Sequence, residues 1–148
     1  MSSATTIEHQ VIIHAPAQRV WHVLTDLERY GEWNRYATEA HGRLEAGGEV
    51  EIVAHLGNST QRVNNRVLEI IPEHKLCWVS LNWYAFLVRG TRCRSLQTQP
   101  DGSTLFGERE IMAGPFARIV VGLMREQLAA GLQAECESLK AEAERLTH

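Results

Sequence analysis

FLVRGTRCRSLQTQPDGSTLFGEREIMA, residues 86–113, decides how the rest of the chain is read. Two runs with a period of two, Phe86 to Thr98 and Ser103 to Ala113, flank Pro100-Asp101-Gly102, which predicts a β-hairpin. Two registers compete. A two-residue Asp101-Gly102 turn would pair Pro100 with Ser103, where proline has no N–H for the ladder. It would also set Arg94 against Arg109, two like charges. A three-residue loop with Gly102 in the left-handed region removes both faults. It puts Gln99 opposite Ser103, Arg94 opposite Glu108 and Arg92 opposite Glu110.

On that register one face carries Phe86, Val88, Gly90, Arg92, Arg94 and Leu96 from the first strand, with Phe106, Glu108, Glu110 and Met112 from the second. It is apolar at its ends and charged in the middle. The other face (Arg89, Thr91, Cys93, Ser95, Gln97, Ser103, Gly107 and Arg109, with Leu105 and Ile111) is mostly polar, as a solvated face should be. Arg92, Arg94, Glu108 and Glu110 are therefore expected to point inward. With the faces exchanged they would form a surface ladder of little energetic weight. Inward ions cost several kcal/mol each unless paired and hydrogen-bonded, and a core built for stability alone would do as well with leucine. An inward ionic cluster thus hints at a polar ligand group or at chemistry.

Working outward, Thr5 to His14 reads as a strand. Pro16 fits a helix start, followed by the apolar stripe Val20, Trp21, Leu24 and Leu27. Thr25-Asp26 is expected to cap a second short helix carrying Leu27, Tyr30 and Trp33, with Gly31 loosening its end. From Tyr36 the period changes to two. Gly47-Gly48 and Gly57-Asn58 mark turns, Arg62 to Ile71 is a strand ended by Pro72, and Lys75 to Trp83 is another. After the hairpin, Phe116, Ile119, Val120, Leu123, Met124, Leu128, Leu132, Leu139 and Leu146 recur at helical spacing, a helix roughly 45 Å long at 1.5 Å per residue. Its Glu-rich end, Glu135 to Arg145, is expected to be a solvated face. Strands segregated from helices mean α+β, with an antiparallel sheet whose apolar face the long helix covers. The space between them is the default place for a ligand.

Composition narrows the classes. The 148 residues, with 44% hydrophobic and 22% charged residues, are expected to form one domain over 1–148. A net charge of −3 leaves no basic surplus for nucleic acid. No apolar run approaches the about 20 residues that cross a bilayer, so no membrane insertion is expected. No secretion signal is visible at the N-terminus. Cys77, Cys93 and Cys136 are expected to be reduced thiols in a cytoplasmic protein. The seven histidines show no metal-ligand spacing, and neither a phosphate loop nor Gly-x-Ser-x-Gly is present. Neither a metal nor a cofactor is expected.

Ile13-His14-Ala15-Pro16, Val20-Trp21, Asp26, Tyr30 and Trp33-Asn34 resemble a motif of the START-like (SRPBCC) superfamily, polyketide cyclase/dehydrase-like group. Val67-Leu68 to Pro72, Leu76-x-Trp78, Asp101-Gly102-x-Thr104 and Glu110-x-Met112-x-Gly114 are similar to its later segments. The resemblance spans nearly the whole chain. It implies the helix-grip fold, a curved antiparallel sheet wrapped around a long C-terminal helix, with two short helices after the first strand. It also implies an apolar cavity, whose use differs among aromatases and cyclases, lipid and sterol carriers, quinone-binding proteins and ATPase activators. Many relatives have His-x-Phe where this chain has Arg92-x-Arg94, so its cavity should be more cationic, suiting a carboxylate, enolate or phenolate.

The expected partner is a small hydrophobic or aromatic ligand, and a homodimer is left open. As a cyclase/aromatase, Arg92 or Arg94 would stabilise an enolate oxygen while Glu110 moves the proton. As a carrier, the same arginines would simply meet an acidic group. A vestigial cavity in an interaction protein is a third reading. Trp33, Trp78, Trp83 and Tyr84 could stack on a flat ligand, although core or rim packing is the plainer use of each. Phe86, Val88, Phe106, Met112, Phe116, Val120 and Met124 are candidate lining residues, with Arg94 and Glu108 behind Arg92 and Glu110. Gly122 and Gly131 either leave room for a ligand or permit a bend.

Overall fold

The computed structural model describes residues 4–82 and 86–146. In order, the elements are β1 (Ala4–Ile13), α1 (Ala17–Thr25), a 3-10 turn (Leu27–Arg29), α2 (Tyr30–Trp33), β2 (Ala37–Gly42), β3 (Glu49–Leu56), β4 (Ser59–Ile71), β5 (Lys75–Ser80), β6 (Arg89–Thr98), β7 (Thr104–Ala113) and α3 (Ala117–Arg145). The seven strands form one curved antiparallel sheet in the order β1-β7-β6-β5-β4-β3-β2. Consecutive strands from β2 to β7 pair as hairpins, and β1 closes the far edge against β7. With α3 against the sheet, this is the helix-grip arrangement.

The β6–β7 register is the one that proline and like-charge repulsion select. Arg92 stands opposite Glu110, Arg94 opposite Glu108, and Gly102 has φ +88°. Neighbouring registers extend these pairs across the sheet, so Ile7, Glu110, Arg92, Trp78 and Val67 lie in one row. His9, Glu108, Arg94 and Leu76 form the next.

The core has two parts. The C-terminal half of α3 buries Cys136, Leu139 and Ala143 in one cluster with Ile13, Val20, Leu24 and Phe106. Burying a large apolar side chain of this kind contributes about 1.5–3 kcal/mol. The N-terminal half stands over a smaller group that includes Ile7, Val88, Met112 and Val121. Between the halves Met124 leaves helical geometry (φ −119°, ψ 15°), so α3 is kinked, not straight.

Several local expectations are corrected. β5 ends at Ser80 and β6 starts at Arg89, which leaves Phe86 in a turn; Trp83 and Tyr84 lie outside the described residues. Asp26 makes no side-chain cap; the Thr25 hydroxyl instead donates back to Trp21 O at 2.8 Å. At Gly31 a Cβ would lie 3.0 Å from Thr38 O, so glycine there admits the β2 backbone.

The thiol expectation also fails for two residues. Cys77 and Cys93 are directly opposite on β5 and β6, with Cα atoms 4.1 Å apart, and are disulfide-bonded. The sequence between Ser80 and Arg89 has no Gly or Pro turn signal, so no turn rule revealed that register. Cys136 is free and buried.

Candidate functional site

Three elements bring charge into the interior. β6 supplies Arg92 and Arg94, β7 supplies Glu108 and Glu110, and α3 supplies Glu135. Arg92 is 4% exposed, and Arg94, Glu108 and Glu135 are 0% exposed. Arg94 donates from Nε and Nη2 to Glu135 Oε1 at 3.0 and 2.6 Å. Asn34, just after α2, donates from Nδ2 to Glu135 Oε2 at 2.8 Å and accepts the backbone N–H groups of Tyr36 and Ala37. The loop entering β2 is thereby tied to α3. Arg92 donates from Nε to Glu110 Oε2 at 2.8 Å, and its Nη1 lies 3.2 Å from Glu108 Oε2.

Aromatic rings floor both guanidiniums. Tyr36 lies 4.1 Å from the Arg92 carbon and Trp78 lies 4.2 Å from that of Arg94, a cation–π arrangement that strengthens when desolvated. Gly131 makes the first possible, since a Cβ there would sit 3.0 Å from the Tyr36 ring. Gly122 faces open space. The two glycines therefore differ in role: Gly131 leaves room for a side chain, and Gly122 lies two residues before the kink.

Burial sets the ionisation pattern. Burial alone would raise Glu135, but Arg94 and then Arg92 hold it down to about 2. Burial, and then the neighbouring Glu135 carboxylate, push Glu108 well above the usual carboxylate range despite both arginines. Burial opposes the charge on Arg92 and Arg94, but the carboxylates around them, Glu135 foremost at Arg94 and Glu110 at Arg92, keep both as guanidiniums. Burial also pushes the Tyr36 hydroxyl up to about 12.

One end of this cluster opens on a cavity of about 160 Å³ between the sheet and the N-terminal half of α3. Its polar end is Tyr36, Arg92 and Glu110, its apolar walls include Ile52, Trp78, Val88, Met112, Val120, Met124 and Leu128, and Asn65 and Gln61 lie along β4. Gly90 keeps the wall open beside Glu110, because a Cβ there would stand 2.8 Å from Glu110 Oε1.

The sequence candidates divide accordingly. Arg92, Glu110, Trp78, Val88, Met112, Val120 and Met124 come together around the cavity. Arg94 and Glu108 do not line it; they are sealed behind Arg92. Phe106 is fully buried in the core. Trp33 stacks edge-on to Tyr30 away from the cavity. Phe86 and Phe116 are exposed, at 70% and 46%. Phe86 lies in the turn before β6, outside the strand alternation expected for it, and Phe116 is the residue that precedes α3.

Glu135 corrects the expected solvated face. It lies on the same stripe as Leu128, Leu132 and Leu139, all buried, and that three-and-four spacing was the signal that could have found it. Asn34 and Tyr36 were also missed. They act through a loop whose path periodicity does not reveal.

Among the described residues no group of three or more His, Cys, Asp or Glu side chains is placed to hold a metal ion. Nor is any helix among them long and apolar enough to cross a membrane.

A family model described as polyketide cyclase / dehydrase and lipid transport matches residues 4–144. The chain belongs to that family. Among solved structures it is similar to the Zhui aromatase/cyclase of Streptomyces sp. R1128, with a TM-score of 0.79 and 18% identity over 99% of this chain and 97% of that one. It is also similar to a point mutant of norcoclaurine synthase from Thalictrum flavum in complex with a transition-state analogue (TM-score 0.79, 11% identity, 100% and 99% covered). The di-domain aromatase/cyclase StfQ of the steffimycin pathway gives a TM-score of 0.77 at 13% identity, with 97% of this chain matching 52% of that one. At such identities the likeness shows the fold alone. No curated protein sequence matches the chain.

Proposed function

We propose that the chain binds a small aromatic or apolar molecule bearing a carbonyl or weakly acidic oxygen, and that Arg92 and Glu110 act on that oxygen by acid–base chemistry of the aldol-closure and dehydration kind. The observation that carries this reading is an arginine–carboxylate pair forming one end of an otherwise largely apolar cavity. Family membership supports it.

Arg92 would donate to the oxygen on which negative charge develops. In a water-poor site, one oriented donor of this kind contributes about 3–4 kcal/mol to the barrier. Glu110 would take the proton from the adjacent carbon or hydroxyl, an effect of roughly 10²–10⁴ in rate. A cavity of about 150 Å³ holds one benzene ring, so a partly open space of about 160 Å³ suits a single ring with a short polar group. A longer β-ketone chain would place only its reacting end inside.

Carriage without turnover is the second reading, and the direct 2.8 Å tie between Arg92 and Glu110 favours it. Native mass spectrometry of the purified protein, searched for a co-purifying small molecule, supplies a substrate to test. With that substrate, Glu110→Gln should lower turnover roughly 100-fold or more and leave ligand affinity nearly unchanged. Unchanged turnover would remove the catalytic assignment and leave carriage. Arg92→Leu should weaken binding in either case, and undiminished affinity would show that the oxygen does not meet Arg92.

A further inference from the structure

The ionic cluster holds three carboxyl groups and two guanidiniums, so its charges do not balance if all five are ionised. Glu135 has a well-supplied anion site, with two hydrogen bonds from Arg94 and one from Asn34. Glu110 has Arg92 Nε at 2.8 Å and an opening to the cavity. Glu108 has neither. It is fully buried, and both of its oxygens lack a hydrogen bond. The nearest guanidinium nitrogens, Arg92 Nη1 at 3.2 Å and Arg94 Nε at 3.6 Å, form no hydrogen bond with it.

Beside the two arginines, Glu108 also meets the Glu135 carboxylate, and two adjacent buried carboxylates cannot both ionise cheaply. His9 stands opposite Glu108 in the β1–β7 register, with no hydrogen bond or ion pair to it among the described residues. Tyr30, Tyr36 and Cys136, packed around the cluster, are kept neutral by burial. An ionised Glu108 would therefore be a third buried anion that shares the two guanidiniums at 3.2 and 3.6 Å without a hydrogen bond from either. A protonated one is neutral, and its O–H has an acceptor in Glu135.

We propose that the cluster holds one buried proton, on Glu108, so that two guanidiniums and two carboxylates balance before any ligand arrives, and that the cavity therefore takes a neutral aromatic amide, ketone or phenol in preference to a carboxylate of the same shape. The second half rests on the proposed function, in which the ligand oxygen meets Arg92. A ligand carboxylate there would place a second anion beside Glu110 in a low-dielectric site with no spare cation. A neutral carbonyl accepts from Arg92 at no such cost, and an amide or phenol can also donate to Glu110. The chain thus departs from the expectation that two inward arginines select an anion, because Glu110 and Glu135 already neutralise them.

Benzamide and benzoate share a shape and differ in charge. Titrated calorimetrically into the intact protein at pH 7, benzamide should bind at least tenfold more tightly. Glu110→Gln removes one of the two negative charges and should narrow that ratio at least tenfold. Glu108→Gln exchanges a neutral acid for a neutral amide and should leave the ratio within twofold. Without ligand, the infrared difference between the unaltered protein and Glu108→Gln should contain the carbonyl stretch of a protonated carboxylic acid. Glu135→Gln restores balance without the proton and should lack that band.

A preference for benzoate, or an equal shift of the ratio by Glu108→Gln and Glu110→Gln, would overturn the ligand selectivity, and absence of the acid band would overturn the buried proton. If the band is present and neither probe binds, the ligand selectivity falls together with the proposed function. If benzamide binds and the band is missing, the buried proton alone is refuted.

Discussion

Gly131 has no side chain, and a Cβ there would stand 3.0 Å from the ring of Tyr36. That ring carries Arg92 at 4.1 Å, so one hydrogen atom on α3 helps to set where a guanidinium meets the cavity. Gly131→Ala would gain about 1 kcal/mol of helix propensity and lose about 1–3 kcal/mol by displacing a packed ring. Its Tm should fall, and ligand affinity should fall with it. Gly122→Ala meets open space, so the same propensity gain should raise Tm by about 2–4 °C. Thermal denaturation of the two variants checks both signs, and a rise for Gly131→Ala would contradict the ring-support role.

The two buried acids should also titrate in opposite senses. Glu135 is held down to about 2, so its contribution is present above the ordinary carboxylate range near pH 4. It is lost only as pH falls through that low value. Glu108 is raised, so its contribution is complete below about pH 4 and is lost as pH rises through its folded value. Tm measured from pH 5 upward should therefore decline, and the decline should flatten in Glu108→Gln. An unchanged slope in that variant would place the proton elsewhere.

At the scale of elements, the hairpin was legible because sequence rules agreed on it. Proline cannot open the ladder, Arg94 avoids Arg109, and Gly102 takes the positive φ. The β5–β6 pairing was not, since the sequence between Ser80 and Arg89 carries no Gly or Pro turn signal to set a register, and the Cys77–Cys93 bond went unread with it. A cross-link closing a loop of this length stabilises by about 3 kcal/mol in the chain-entropy view. Reductant, or Cys77→Ala with Cys93→Ala, should accordingly lower Tm, and an equal Tm in oxidised and reduced protein would contradict a structural role. The apolar stripe of α3 was also legible. Its kink at Met124 was not, because periodicity reports which face is buried and not where the axis bends.

For the whole molecule, the order of strand, short helices, antiparallel strands and long helix already implied a sheet gripping a helix. Which inward residues touch open space was harder to read. Arg92 and Arg94 alternate identically in sequence, yet Arg92 lines the cavity and Arg94 is sealed against Glu135. The difference comes from what the fold sets opposite each, Glu135 of α3 against Arg94 and the cavity beside Arg92, a tertiary outcome that no local pattern carries.

The central claim is that a ring-sized ligand enters the cavity against the Arg92–Glu110 pair. Two of the chain's three methionines, Met112 and Met124, line that cavity, so methionine-methyl NMR during a benzamide titration reads occupancy directly. Saturable ring-current shifts at Met112 and Met124, with Met1 unmoved, are the expected result. Binding that leaves both cavity methyls unshifted, or no shift at any benzamide concentration up to saturation of the solution, would contradict it.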